Sequence, residues 1–178
     1  MTEIVLLSGG LDSALAWHRA RLYGPATGIF YQYGQKHMEQ ERAAMEAFAR
    51  AHDIPVEIHH LPSLAKSDSV VFVGRNLLML AATIPHAHRL GAKRIWIGCN
   101  ASDHERFKDC RPDFLRAADQ CANAYGVMVM APLQNMTKKQ VISELVGCGE
   151  NPDALWSCYN PQDNAPCGEC LACRTRAT

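Results

Sequence analysis

The fold class predicted for this 178-residue chain is α/β, a doubly wound, mainly parallel five-stranded sheet covered by helices on both faces. Three observations predict it. Short apolar runs rich in β-branched residues alternate with stretches of helical length between residues 3 and 146. Each helical stretch is long enough to carry the chain back for another parallel strand by a right-handed crossover. The first apolar run empties into Ser8-Gly9-Gly10, the kind of turn that sits at the ligand-binding end of such a sheet.

The elements follow in order. Glu3 to Leu7 forms the first strand, and Asp12 to Tyr23 a helix that Gly24-Pro25 stops. Ala26 to Tyr31 is the second strand. From Lys36 to His52, Met38, Met45, Phe48 and Ala49 lie near one helical face, and Val56 to His60 is the third strand. Arg75 to Leu90 reads as a helix ending at Gly91, followed by the strand Arg94 to Gly98. Pro112 to Tyr125 is a helix whose proline is tolerated in its first turn, and Val127 to Ala131 is the fifth strand. Thr137 to Val146 closes the series, with Thr137 as N-cap.

Composition excludes several classes. With 48% hydrophobic and 20% charged residues the chain is globular, and no linker, repeat or low-complexity run divides it. Eighteen basic residues balance eighteen acidic ones, which disfavours direct nucleic-acid binding. No apolar run approaches the ~18 residues that span a bilayer, so no membrane association is expected. The N-terminus enters an apolar strand without a basic leader, and the expected location is cytoplasmic.

"IVLLSGGLDSALAW" places two glycines and small polar groups at a strand mouth. Glycines there allow positive φ and close backbone approach, so successive N–H groups can cradle an anion at the positive end of the next helix. Phosphate suits that cradle. Ser8 and Ser13 add hydroxyls, while Asp12 suits a magnesium ion or a helix cap. The loop lacks the lysine of a Walker A motif and does not spell G-x-G-x-x-G.

Near the other end, "CYNPQDNAPCGECLACRTRA" spaces Cys158, Cys167, Cys170 and Cys173 as C-x8-C-x2-C-x2-C. Two-residue gaps turn neighbouring thiolates towards one ion, and four sulfurs complete a closed structural zinc site, one Zn2+ per chain. Disulfides or an iron–sulfur cluster are the other uses of such a set. Cys99, Cys110, Cys121 and Cys148 are left over, and most of them are expected to be small core residues. "HH" at 59–60 and "HAH" at 86–88 are expected to be exposed or packed rather than metal-ligating.

The Ser-Gly-Gly-x-Asp-Ser loop resembles that of the PP-loop ATP pyrophosphatases. Together with the four cysteines, "YGQKHMEQE", "GRNLLMLAA", "DCRPDF", "APLQNMTKKQVI" and "WSCY" resemble the motifs of the 7-cyano-7-deazaguanine synthase family along nearly the whole chain. The resemblance implies a PP-loop ATP-binding α/β domain over residues 1–150 with a zinc-binding extension, 151–178, packed on it. It implies ATP with Mg2+ as co-substrate, a deazapurine acid and ammonia as partners, and a homodimer. The carboxylate of 7-carboxy-7-deazaguanine would be adenylated, taken by ammonia to the amide and dehydrated to the nitrile. Leu7, Ser8, Gly9, Gly10, Leu11, Asp12 and Ser13 would hold the nucleotide, with adenine near Phe30 and Tyr31. Arg75 and Lys138 would meet phosphate or carboxylate, Asn76 and Asp103 the heterocycle or ammonia, and Asp109 and Arg111 would belong to a substrate-proximal loop.

The chain departs from the family pattern in a shortened loop before Gly74, in Gly74 itself, where the pattern has proline, and in Phe107-Lys108 where it has Tyr-Pro. A relative that stops at the amide or uses another amine is therefore one alternative. Two others are a tRNA-modifying PP-loop enzyme and an inactive zinc-knuckle binding module.

Overall fold

Alternation with period two assigns each strand residue to one of two cores. In the computed structural model, which describes residues 2–62 and 72–177, Ile4 and Leu6 face one side of the sheet while Val5 and Leu7 face the other. The strands are β1 (Glu3–Leu6), β2 (Ala26–Gln32), β3 (Val56–His60), β4 (Arg94–Trp96) and β5 (Met128–Met130), all parallel in the order β3-β2-β1-β4-β5. The predicted doubly wound α/β class is the observed one.

Helices α1 (Leu11–Arg21), α2 (Met38–Ala51) and α5 (Lys138–Gly147) cover the face that receives Val5, Leu7, Phe30 and Trp96. Helices α3 (Arg75–Leu90) and α4 (Pro112–Asn123) cover the face that receives Ile4, Ile29, Tyr31 and Ile95. A short helix, α6 (Leu171–Ala177), ends the described chain. Chain order reverses direction between β1 and β4, so the sheet's switch point opens above the carboxyl ends of those strands.

Local signals explain the boundaries. Pro112 is the first residue of α4, where its missing N–H costs nothing. Thr137 caps α5 in a reciprocal capping box with Gln140, as the sequence predicts. Gly74 precedes α3 with φ of 80°, a value closed to proline, so this backbone could not accept the proline of the family pattern at position 74. The shortened loop lies in residues 63–71, outside the described residues. Two leftover cysteines, Cys99 and Cys110, are core residues as expected, but Cys121 and Cys148 are exposed. Both sit on amphipathic helix ends or turns facing solvent, where a small side chain carries no packing role.

At the opposite end of the sheet from the switch point, Glu3 is fully buried in β1. Its carboxylate accepts hydrogen bonds from Arg94 Nε and Nη2 at 2.8 and 2.6 Å and from Trp96 Nε1 at 2.7 Å. This fork joins β1 to β4, the strands that flank the switch point. Glu3→Ala leaves the Trp96 N–H buried without an acceptor and is expected to cost about 3 kcal/mol. Urea denaturation of the two proteins checks it.

Candidate active site and four-cysteine centre

The loop between β1 and α1 takes its shape from close main-chain contacts. Gly9 has φ of +79°, and a Cβ there would lie 2.5 Å from the Glu41 carbonyl oxygen and 2.6 Å from the Met45 nitrogen of α2. A Cβ on Gly98 would lie 2.6 Å from the Asp12 carbonyl carbon, and one on Gly10 would lie 3.2 Å from the Trp156 carbonyl oxygen. The loop is thus pressed between α2, the end of β4 and the C-terminal segment. Only glycine lets those backbones approach so closely.

Within the loop, Ser13 Oγ donates to the Gly10 carbonyl at 2.9 Å and accepts the Ser8 N–H at 3.2 Å. Gly10 is the N-cap of α1 and offers no side-chain cap, so the first-turn N–H groups of α1 point towards the opening at the positive end of the helix. Leu7, Ser8, Gly10, Leu11, Asp12 and Ser13 line the pocket at the switch point. Gly9 is turned away against α2, and its carbonyl accepts the Trp156 N–H at 2.9 Å.

Asp12 does not cap the helix. It sits in the first turn, and its carboxylate is held by Lys138 Nζ at 2.5 Å and Asn100 Nδ2 at 3.1 Å. The same Asn100 amide donates to Asp103 at 2.7 Å, so one fully buried asparagine bridges two carboxylates. Burial and the neighbouring Asp12 charge push the Asp103 carboxyl above its ordinary range, while Lys138 pulls it back. Asn100 is the member of this group that sequence reasoning missed. The only local signal was an asparagine following a strand end.

Across the pocket, Arg75 is half-buried and donates from Nη1 to the Tyr33 hydroxyl at 3.1 Å, with its guanidinium over the Tyr33 ring. Burial opposes its charge, but Tyr33, Tyr159 and Glu41 more than compensate, and the group stays protonated. Its Nε has no hydrogen-bond partner among the described residues, a donor facing the cavity wall. Burial likewise raises the Tyr33 and Tyr159 phenols, which keeps both neutral and able to donate. Phe30 and Tyr31 line the same wall at the end of β2, Tyr31 anchored through its hydroxyl to Thr83 of α3 at 3.0 Å.

The other predicted residues divide. Asn76, Asp103 and Lys138 reach the pocket. Asp109 and Arg111 do not. The Asp109 carboxylate accepts the Asn76 backbone N–H at 2.9 Å and its carbonyl accepts Asn76 Nδ2 at 2.9 Å, so it caps the start of α3, whose own N-cap, Gly74, has no side chain. Arg111 donates through Nε to the His104 carbonyl at 2.7 Å and ties down the loop before α4.

Cys158, Cys167, Cys170 and Cys173 bring their four sulfurs within 4.8 Å of one another. Cys158 Sγ accepts the N–H groups of Asn160 and Cys167 at 3.4 and 3.3 Å, and Cys167 Sγ that of Cys170 at 3.3 Å, the polarity expected around thiolates. N–H groups of Cys170 and Glu169 draw the Cys167 thiol down to about 7, whereas burial raises Cys158 and pushes Cys173 up to about 12. Four sulfurs with no hard oxygen among them fit a soft or borderline divalent ion. The centre is not remote from the pocket: Trp156, Ser157 and Tyr159 beside Cys158, and Leu171 and Thr175 of α6, form one wall of it.

A family model described as queuosine biosynthesis protein QueC matches residues 2–71 and 65–178. A 7-cyano-7-deazaguanine synthase from Stenotrophomonas maltophilia is 38% identical over 202 residues, covering 98% of this chain and 91% of the relative. Synthases of the same description from Pseudomonas putida and Synechococcus sp. are 36% and 34% identical, covering 99% and 98% of this chain and 93% and 92% of themselves. Among solved structures, an NMN synthetase from Francisella tularensis matches with a TM-score of 0.61 at 18% identity, over 94% of this chain and 70% of that one, a likeness of fold.

The raised Asp103 carboxyl has a measurable sign. A folded-state pKa above the unfolded one contributes stability below the ordinary carboxylate range, and that contribution is lost as pH rises through the folded value. Asp103→Asn removes the titration and keeps the shape. Its stability relative to the parent is expected to improve from acid to neutral pH, as followed by denaturant melts across that range.

Proposed function

The chain belongs to the QueC family of queuosine biosynthesis proteins, and from that membership we propose that it is an ATP-dependent enzyme converting 7-carboxy-7-deazaguanine and ammonia to 7-cyano-7-deazaguanine. The observation that carries the chemistry is the Ser8–Ser13 loop at the switch point, opening its α1 N–H groups onto a pocket that also receives Lys138 and Arg75. In this reading the loop binds the pyrophosphate end of ATP. Lys138 and Arg75 offset the charge that develops at the α-phosphate as pyrophosphate leaves. Magnesium arrives with the nucleotide, and the Asp12 carboxylate is the hard oxygen donor it would meet.

The acid carboxylate attacks the α-phosphorus, pyrophosphate departs, and ammonia displaces AMP to give the amide and a proton. The amide oxygen then attacks a second ATP, and loss of AMP with two protons leaves the nitrile. Both carboxylate oxygens therefore end in AMP. Neutral Tyr33 and Tyr159, the Asn76 side chain and the raised Asp103 carboxyl offer the donors and acceptors a deazapurine and an incoming amine need. Zinc is the ion we assign to the four cysteines, in a closed site that leaves no position for water and therefore shapes the wall rather than the reaction.

The test is a reaction of the reduced protein with heavy-oxygen-labelled 7-carboxy-7-deazaguanine, magnesium ATP and ammonium, read by mass spectrometry, with metal content measured on the same sample. Nitrile with both labelled oxygens in AMP is the expected result. Accumulated amide with one labelled AMP would instead identify an amide-forming enzyme, and absence of both products would refute the substrate. Asp12→Ala with Ser13→Ala is expected to abolish AMP release while the bound metal and the circular dichroism spectrum stay as in the parent.

A further inference from the structure

Outside the pocket, two histidines from distant parts of the sequence converge on one carboxylate oxygen. His18 Nε2 of α1 and His52 Nε2, just past the end of α2, both lie 2.8 Å from Glu150 Oε1, in the turn after α5. The three side chains are 16%, 22% and 14% exposed, half-buried yet reachable. All three donor atoms lie within 4.8 Å of one another. None of these residues lines the pocket or touches the four cysteines.

We propose that His18, His52 and Glu150 form a divalent-cation site of the zinc class, held by two imidazoles and one carboxylate with a fourth position open to water. Two Nε2 atoms and one carboxylate oxygen are the donor set of an open zinc site. Metal–ligand bonds of ~2.0–2.1 Å set the donors about 3.3 Å apart, so the 2.8 Å contacts need open by only about half an ångström. The rings are already aimed. Trp17 and Phe48 pack against His52 with centroids 4.7 and 4.6 Å away, and Trp17 packs edge-on against His18 at 4.8 Å, an apolar collar of the kind that limits solvent around a metal. The neighbouring Arg21 is laid over the Trp17 ring, its guanidinium carbon 4.8 Å from the centroid.

A second group has the same composition: Glu57, His59 and His86 also gather within 4.8 Å, the two rings packed on each other with centroids 4.1 Å apart. But both Glu57 oxygens already accept Arg89 Nη2, at 2.7 and 2.5 Å, and a guanidinium in that position repels a cation. At Glu150 the contacts among the described residues come from the two imidazoles, which can give up their protons to a metal. An ion there would bind α1, α2 and the turn after α5 to one centre.

The site is independent of the proposed reaction. The experiment loads the full chain with one equivalent of zinc, which fills the four cysteines, and titrates cobalt(II). The expected result is a second equivalent with visible d–d absorption and no thiolate charge-transfer band, weakened at least about tenfold by His52→Gln and by Glu150→Gln. In the unaltered chain, excess zinc is expected to slow diethylpyrocarbonate modification of His18 and His52, mapped by mass spectrometry, and to leave His60 unaffected. No second equivalent, cobalt absorption that survives both substitutions, or undiminished modification of His18 and His52 would overturn the proposal.

Discussion

The rest of the site depends on how closely main chain can approach main chain around residues 8–13. At Gly9, Gly10 and Gly98 the backbones of α2, the C-terminal segment and α1 stand where a methyl group would otherwise be. That packing fixes the loop by atoms that cannot change rotamer. It leaves the first-turn N–H groups of α1 without a side-chain cap, at the mouth of the pocket. Side chains then only need to be delivered to a frame already set.

The frame tolerates electrostatic arrangements that water would not preserve. Arg75 keeps its charge in a buried wall because aromatic hydroxyls and Glu41 surround it, and two acidic groups stand close enough that Asn100 bonds both. Burial makes each of these interactions stronger and each missing partner more costly. The Lys138–Asp12 pair neutralises two of these charges against each other inside the pocket, and under the proposed function it is the pair that a polyphosphate and its metal would separate.

Much of this was legible in the chain. Strands and helices announced themselves by period, capping residues and glycine stops, and the loop and the four cysteines by spacing, because those signals are local. Asn100 gave no such signal, and Tyr33 and Tyr159, though they lie in the YGQKHMEQE and WSCY motifs, acquire their surroundings from partners tens of residues away, such as Arg75. Asp109 takes a part that its motif does not announce: its carboxylate accepts the Asn76 N–H at the start of α3, where Gly74 has no side chain to cap with. His59 and His86 are packed, as their sequence context implies, but their pairing is not local: it takes α3 lying beside β3 to bring the rings to 4.1 Å.

The bond from the Trp156 N–H to the Gly9 carbonyl carries a consequence for the order of events during synthesis. The loop leaves the ribosome early, whereas the wall it leans on, residues 156–175, is translated more than a hundred residues later. A nascent chain holding the sheet but not that wall has an open-sided cleft. The pocket would therefore be completed only late in translation, when that wall packs against the Gly9 carbonyl.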